Sequence, residues 1–169
     1  MEDRHGNYMY VDVGGGSTEV NLLIKGELVC SKSYNIGTVR MLNDAVDFEE
    51  WKRLEADMKT LSENYLGTNI IGSGGNINKL YRLAEKTDKK RQRISVIVLK
   101  SLYEKLKLLS FEERMQVFNL KPDRADVIVP ASEIFLTIAE ILHSEYIYVP
   151  VIGLADGIID GLYAANRNR

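Results

Sequence analysis

The hydrophobic pattern of the first part of the chain consists of short runs rich in residues that favour β-strands, bounded by turn residues. The runs cover residues 8–13, 18–24 and 27–34, and a turn-like Lys25-Gly26 pair separates the second run from the third. This pattern predicts three strands that form an antiparallel meander.

The next segment has helical periodicity. In residues 47–66 the apolar side chains recur every three or four positions, at Phe48, Trp51, Leu54, Met58, Leu61 and Tyr65. Asp47 and Glu50 stand at capping-box spacing before this run, and Gly67 follows it. We therefore predict one amphipathic helix that begins behind Asp47 and ends near Gly67.

The rest of the chain alternates short strands with helices. The pattern predicts a strand at 68–72 followed by a helix, helices at 96–109 and 111–119, a helix within 123–143, a strand at 146–149, and a last helix that follows residues 153–157 and ends near residue 165. Ser110 and Glu113 have capping-box spacing, and Pro130 marks either a kink or the true start of its helix. The predicted order is βββ-α-β-α-α-β-α, with a helical insertion at about residues 94–120.

Length and composition fit one globular domain. The chain has 169 residues, of which 45% are hydrophobic and 27% are charged. Lys plus Arg number 22 and Asp plus Glu number 24, so the net charge of −2 predicts neither a nucleic-acid partner nor a membrane partner. The single cysteine, Cys30, excludes an intrachain disulfide, and without a long apolar run a reducing cytoplasm is the compartment that fits best.

The charges are unevenly distributed along the chain. Residues 79–107 hold ten basic and three acidic residues, or +7, which leaves −9 on the remainder. The densest part, residues 86–93, is either a solvated loop or a surface that attracts anions.

The segment with the most chemical information joins the first two predicted strands. Three consecutive glycines let backbone N–H groups approach an anion without interference from Cβ atoms, and the following hydroxyl groups add donors. The predicted phosphate-binding residues of this turn are Gly14, Gly15, Gly16, Ser17 and Thr18. Asp12 at the strand end could bind Mg²⁺, and Glu19 could share the metal or orient a water molecule. The alternative is an ordinary tight hairpin turn.

A second glycine turn follows the fourth predicted strand. Ser73, Gly74 and Gly75 lead from that strand into a helix, whose N-terminal N–H groups could face a phosphate. Ile77 stands where a dinucleotide-binding fingerprint requires its last glycine, so that kind of site is excluded. Taken alone, the turn is equally well explained as an ordinary strand-to-helix connection.

Together these segments carry a family resemblance. Residues 12–19 resemble the Asp-Ile-Gly-Gly-Gly-Ser-Thr-Glu signature of the exopolyphosphatase and guanosine pentaphosphate phosphatase family, with Val13 in place of isoleucine. The resemblance extends in order through residues 37–41, 72–75, 124–130 and 153–158. The chain departs from the family pattern at two places. Residues 72–76 read Gly-Ser-Gly-Gly-Asn, where the Asn76 amide could replace a lost hydroxyl donor, and Ala155 stands in place of an arginine.

The resemblance implies a fold and a place within a larger protein. The family has the actin-like ATPase fold, which is ribonuclease H-like, α/β, and built of two βββαβαβα halves with mixed sheets. Residues 1–169 then correspond to a single domain, the second domain of a larger phosphatase. The first domain would be its partner and would supply a glutamate base and a further phosphate loop.

The resemblance also implies a function, namely Mg²⁺-dependent hydrolysis of terminal phosphoanhydride bonds in inorganic polyphosphate or a guanosine penta- or tetraphosphate. Asp12 and Glu19 would bind the metal, Glu19 would be the catalytic group, and the two glycine turns would bind phosphate. Two alternative functions are possible for the chain. It could be half of an ATPase or sugar kinase of the same fold, or it could be a non-catalytic alarmone sensor. The sequence does not decide whether the protein forms a homodimer. It also leaves both a structural role and a phosphate-binding role possible for Arg40 and Arg124.

Overall fold

A computed structural model describes residues 6–150 and shows a mixed six-stranded sheet with helices. The strands are β1 (Asn7–Val13), β2 (Thr18–Ile24), β3 (Glu27–Tyr34), β4 (Asn69–Ser73), β5 (Arg93–Ser95) and β6 (Tyr146–Tyr148). The helices are α1 (Thr38–Leu42), α2 (Phe48–Asn64), α3 (Gly74–Leu83), α4 (Val96–Leu108), α5 (Phe111–Phe118), α6 (Pro122–Ala125) and α7 (Ile128–Ile141).

The strand order is β3-β2-β1-β4-β6-β5. The first three strands form the predicted antiparallel meander, β1, β4 and β6 are parallel to one another, and β5 is antiparallel to β6. The carboxyl ends of β1, β4 and β6 therefore lie along one edge of the sheet, which we call the carboxyl edge. Ligands of α/β sheets commonly bind at such an edge.

The helix starts follow the sequence signals, with one correction. Ser110 and Glu113 form the full capping box, whereas at α2 only half of the predicted box is present. Asp47 accepts from the Glu49 N–H, but the Glu50 carboxylate accepts from the Asn35 N–H and from Arg53 instead. Pro130 lies in the first turn of α7, where no intrahelical donor is needed, so it marks the start of the helix rather than a kink.

Most of the apolar core lies on one face of the sheet, and α7 runs through it. Inward residues of β1 alternate as Met9, Val11 and Val13, and they belong to the same cluster as Ile134 and Phe135 of α7. The other face of the sheet carries a smaller cluster centred on Tyr10, Leu23 and Ile71. Asp12, between Val11 and Val13, therefore points to the second face.

Three short elements were not predicted from the sequence, namely α1, β5 and α6. The segment predicted as an insertion contains α4 and α5, and α4 packs against α7. Its status as an insertion stays a prediction. The predicted last helix and Ala155 lie outside the described residues. Within residues 6–150 no helix combines the length and the apolar character that crossing a membrane requires.

Phe135→Ala should lower the free energy of unfolding by about 3–5 kcal/mol, because the ring is fully buried and its loss leaves a cavity. Phe48, whose side chain is 67% exposed, provides the matched control, and Phe48→Ala should change stability by about 0.5 kcal/mol or less. Urea unfolding of both variants measures the difference. Equal effects would contradict the placement of the core around α7.

Candidate functional site

A row of polar residues crosses the sheet close to the carboxyl edge. Asp12 in β1 pairs with Glu19 in β2 on one side and with Ser73 in β4 on the other, and Glu19 pairs in turn with Ser33 in β3. Residues directly opposite each other in a sheet project from the same face. The strands therefore bring together Asp12, Glu19 and Ser73, which the sequence analysis assigned to two separate turns.

The glycine turn after β1 is held in place through its carbonyl groups. The start of α1 and the side chain of Arg40 supply the donors, and each of the three glycine carbonyls accepts at least one hydrogen bond. The bonds are Thr38 N–H to Gly14 O at 3.0 Å, Val39 N–H and Arg40 N–H to Gly15 O at 2.9 and 3.2 Å, and Arg40 Nε–H to Gly16 O at 2.7 Å.

This arrangement fixes the direction of the N–H groups. In a planar trans peptide the C=O and the following N–H point in opposite directions. Because α1 holds the three carbonyls, the N–H groups of Gly15, Gly16 and Ser17 are directed away from α1. Within residues 6–150 none of these three N–H groups has a hydrogen-bond acceptor, and Gly15 and Gly16 are exposed. Successive N–H groups left without acceptors in a turn can form an anion-binding nest.

The structure narrows the predicted set of donors. The Gly14 N–H donates to the Ser17 carbonyl at 2.9 Å and is not available to a ligand. The Thr18 side chain is fully buried and its hydroxyl donates to the Ile36 carbonyl at 2.7 Å, so the predicted phosphate contact through this hydroxyl is wrong for this structure. The hydroxyl instead ties β2 to the segment that leads into α1.

Glu19 is positioned by two hydroxyl groups. Ser17 Oγ donates to Glu19 Oε1 at 2.6 Å, and Ser33 Oγ donates to the same oxygen at 3.2 Å. Ser17 therefore uses its hydroxyl proton within the site, and its backbone N–H is the donor left for a phosphate. Because both bonds go to Oε1, Oε2 is the oxygen that Glu19 offers to a metal ion or a water molecule.

Asp12 lies against the second glycine turn. A Cβ atom on Gly74 would stand 2.6 Å from Asp12 Oδ1, and Gly74 has a φ of +88°, so this position requires glycine twice over. Gly74 is the first residue of α3, whose N-terminal dipole favours a nearby carboxylate. Asp12 thus belongs to both turns.

The two carboxylates fit the needs of Mg²⁺, which proteins commonly bind through one or two carboxylates together with substrate phosphates and water. Asp12 and Glu19 stand opposite each other on neighbouring strands and on the same face. Within the described residues no group of three or more His, Cys, Asp or Glu side chains could hold a metal by itself. A divalent ion bound by Asp12 and Glu19 would therefore take its other ligands from outside this pair of carboxylates.

Arg124 lies at the second glycine turn, and the sequence allows either a structural or a phosphate-binding role for it. The Arg124 guanidinium lies over Gly75, where an added Cβ would be 3.0 Å from Nη2. Nη1 donates to Asn76 Oδ1 at 3.2 Å, and the Asn76 amide donates to the Val13 carbonyl at 2.8 Å. Asn76 is 7% exposed and links β1, α3 and Arg124. Its amide is therefore a structural link rather than a direct replacement for a lost hydroxyl donor.

Ser73 is the N-cap residue of α3, and its side chain makes no capping hydrogen bond. Its hydroxyl is therefore not committed to the helix end beside Gly74 and Gly75. Arg40, in contrast, uses Nε to hold the Gly16 carbonyl, which is a structural role in the first turn. The two arginines thus differ, because only the Arg124 guanidinium lies directly over a predicted phosphate-binding glycine.

Gly37→Ala should displace α1 from the glycine turn and lower the free energy of unfolding by about 1–3 kcal/mol, because the new Cβ would be 2.4 Å from the Gly15 carbonyl oxygen. Gly16→Ala is the matched control, since a Cβ there meets nothing within 4 Å. Thermal unfolding of both variants measures the effect. Equal stability of the two would show that α1 does not hold the turn.

Comparison with known proteins identifies the family and the fold. Residues 2–165 match the Ppx/GppA phosphatase family. An Aquifex aeolicus Ppx/GppA phosphatase structure is 28% identical, with a TM-score of 0.69, over 92% of this chain and 56% of that one. An exopolyphosphatase structure from Cytophaga hutchinsonii shares the fold at 20% identity, with a TM-score of 0.65, over 96% of this chain and 59% of that one.

A curated relative is the bifunctional 3-dehydroquinate synthase/phosphatase of Fusobacterium nucleatum. It is 26% identical in an alignment of 160 residues that covers 85% of this chain and 24% of that protein. The chain thus spans little more than half of the solved relatives and a quarter of the curated one. The fold class expected from the sequence is confirmed. With its glycine turns and strand order in the same arrangement that the motifs imply, the chain belongs to the Ppx/GppA phosphatase family.

Proposed function

We propose that this chain is the phosphate-binding half of a phosphatase that hydrolyses terminal phosphoanhydride bonds of inorganic polyphosphate or guanosine pentaphosphate. The observation that carries the proposal is the turn after β1, whose three carbonyls are held by α1 and Arg40 and whose Gly15, Gly16 and Ser17 N–H groups are left for an anion. A tight hairpin turn would need neither the third glycine nor this external hold on its carbonyls.

The two turns supply complementary charge to one phosphate group. Phosphoryl transfer depends mainly on positioning and on neutralising charge over the phosphoryl oxygens. The N–H groups of the first turn, the N-terminus of α3 and the Arg124 guanidinium provide such charge. Since β1 and β4 are adjacent and parallel, both turns lie at the carboxyl edge.

Asp12 and Glu19 would hold Mg²⁺ next to the bound phosphate. The ion would neutralise phosphate charge and polarise the bond that breaks. Glu19, fixed through Oε1 by Ser17 and Ser33, would direct Oε2 to the metal or to the attacking water. The base that removes the proton of that water is proposed to lie in the first domain of the full-length protein, which would also close the site.

Phosphate release by the full-length protein tests the function. We expect release from long-chain polyphosphate or guanosine pentaphosphate with Mg²⁺, and none after chelation by EDTA. Transfer of phosphate from ATP to a sugar would instead support a kinase of the same fold. Tight binding of guanosine pentaphosphate without any phosphate release would support a sensor.

A further inference from the structure

A compact basic turn precedes β5. Asp88 and Arg93 form a two-way backbone pair, with N···O distances of 3.0 and 3.1 Å, and residues 89–92 make the turn between them. The Asp88 carboxylate accepts from the Arg91 N–H and from Arg93 Nε, and Gln92 adopts a positive φ of 50°. The hydrogen bond from the Arg91 N–H, followed by the hydrogen bond from the Arg93 side chain, lowers the pKa of Asp88. The turn is therefore a defined structure rather than a loose loop.

The turn presents charges that the described part of the chain does not neutralise. Lys89, Lys90 and Arg91 are exposed, and no residue between 6 and 150 forms an ion pair with any of them. Other basic residues of the same zone are paired, since Lys100 contacts Glu140 and Lys105 contacts Glu85, both at 2.8 Å. Within the basic zone of residues 79–107, the three adjacent unpaired charges lie in the turn, and the other described basic residues without an ion pair are Lys79, Arg82, Lys86 and Lys107.

The sheet places this turn at the same edge as the two glycine turns. Arg93 pairs with Tyr148, the last residue of β6, and the Val149 N–H donates to the Gln92 carbonyl at 2.6 Å. Because β5 runs antiparallel to β6, the chain before Arg93 lies beyond the carboxyl end of β6. Two strand spacings separate β5 from β4 and three separate it from β1, which corresponds to about 10 and 14 Å.

We propose that Lys89, Lys90 and Arg91 form an accessory site for phosphates that lie further along an extended polyphosphate chain whose terminal phosphate occupies the glycine turns. The inference rests on the proposed function. The carboxyl edge runs from the glycine turns past β4 and β6 to the basic turn, a distance that a linear polyanion with no bulky group can span. The accessory site therefore favours long-chain polyphosphate over guanosine pentaphosphate, whose few phosphates end at a nucleoside.

The test compares two double variants of the full-length protein that remove the same charge. K89A/K90A removes two lysines from the turn. K25N/K59A removes Lys25, from the β2–β3 turn at the opposite edge, and Lys59, from the half of α2 that leads to the start of β4. Asparagine is used at position 25 because Lys25 has a positive φ of 51°. Thermal unfolding confirms that both variants remain folded.

For K89A/K90A we expect the KM for long-chain polyphosphate to rise about 5- to 30-fold, as the loss of two solvent-exposed charge contacts would give, with kcat unchanged. The KM for tripolyphosphate and for guanosine pentaphosphate should stay within about twofold, and so should all values for K25N/K59A. An equal rise for short and long substrates, or an equal rise in the control, would overturn the accessory site.

A binding measurement separates this inference from the proposed function. Calorimetric titration of long-chain polyphosphate in EDTA, where no turnover is expected, should show weaker binding and a shallower salt dependence for K89A/K90A. If the unmodified protein hydrolyses no substrate but this loss of binding is seen, the proposed function fails and the accessory site stands. If binding is unchanged, the accessory site fails even if hydrolysis is observed.

Discussion

Asp12→Ala in the full-length protein should lower Mg²⁺-dependent phosphate release by about 10²- to 10³-fold. Asp12 is the carboxylate shared by both glycine turns, opposite Glu19 and against Gly74. Its removal takes away one of only two carboxylates in the proposed metal site. The side chain is exposed and not part of the apolar core, so we expect the variant to remain folded. Phosphate release measured across a range of Mg²⁺ concentrations tests the effect.

The control for this substitution is Glu63→Ala, which removes an exposed carboxylate from α2. It should leave both turnover and Mg²⁺ dependence unchanged. The competing explanation for Asp12 is a structural one, in which the carboxylate accepts backbone N–H groups of a turn or of the start of α3. Loss of stability with an unchanged Mg²⁺ dependence in Asp12→Ala would establish that explanation and remove Asp12 from the metal site.

The second large effect is the loss of turnover that we expect without the proposed first domain. We expect the 169-residue chain on its own to fold but to release almost no phosphate. A domain of this size can bury about 70% of the surface that the unfolded chain exposes, which is enough for a stable core. Absence of a general base typically costs about 10²- to 10⁴-fold in rate, and loss of the opposing phosphate loop would add to this cost.

The comparison requires two samples, the 169-residue chain and a longer protein that includes the proposed first domain, assayed with long-chain polyphosphate and guanosine pentaphosphate. Weak phosphate binding by the shorter chain is compatible with the half-site. Comparable turnover by the two samples would mean that the base lies within these residues, and Glu19 would then be the first residue to replace.

Short β-rich runs bounded by turn residues were sufficient to predict the sheet meander, and apolar residues three or four positions apart were sufficient to predict the long helices. Residues 18–24 alternate inward and outward, and the same alternation places Thr18 on the buried face with Val20 and Leu22. That alternation indicates a buried Thr18 hydroxyl, whereas the position of Thr18 beside three glycines favours a phosphate contact. The helical pattern likewise places Asn76 on the buried side of α3, together with Ile77 and Leu80.

The features that were not predicted depend on contacts between distant parts of the chain. Helix α1 has five residues, and its first N–H groups are satisfied only because the glycine carbonyls lie against them. Strand β5 has three residues and pairs with a strand more than fifty positions later. The position of Arg124 over Gly75 depends on Asn76, 48 positions away. Local periodicity contains no information about such contacts.

The most direct test of the phosphate site is an NMR titration of the full-length protein labelled with ¹⁵N-glycine, using inorganic tripolyphosphate in EDTA. The Gly15 and Gly16 amide protons should shift strongly because they gain an acceptor, whereas Gly14, already bonded to the Ser17 carbonyl, should shift less. Gly26 and Gly67, in turns away from the carboxyl edge, should stay unchanged. Binding of tripolyphosphate that leaves Gly15 and Gly16 as unaffected as Gly26 would contradict a phosphate-binding role for this turn.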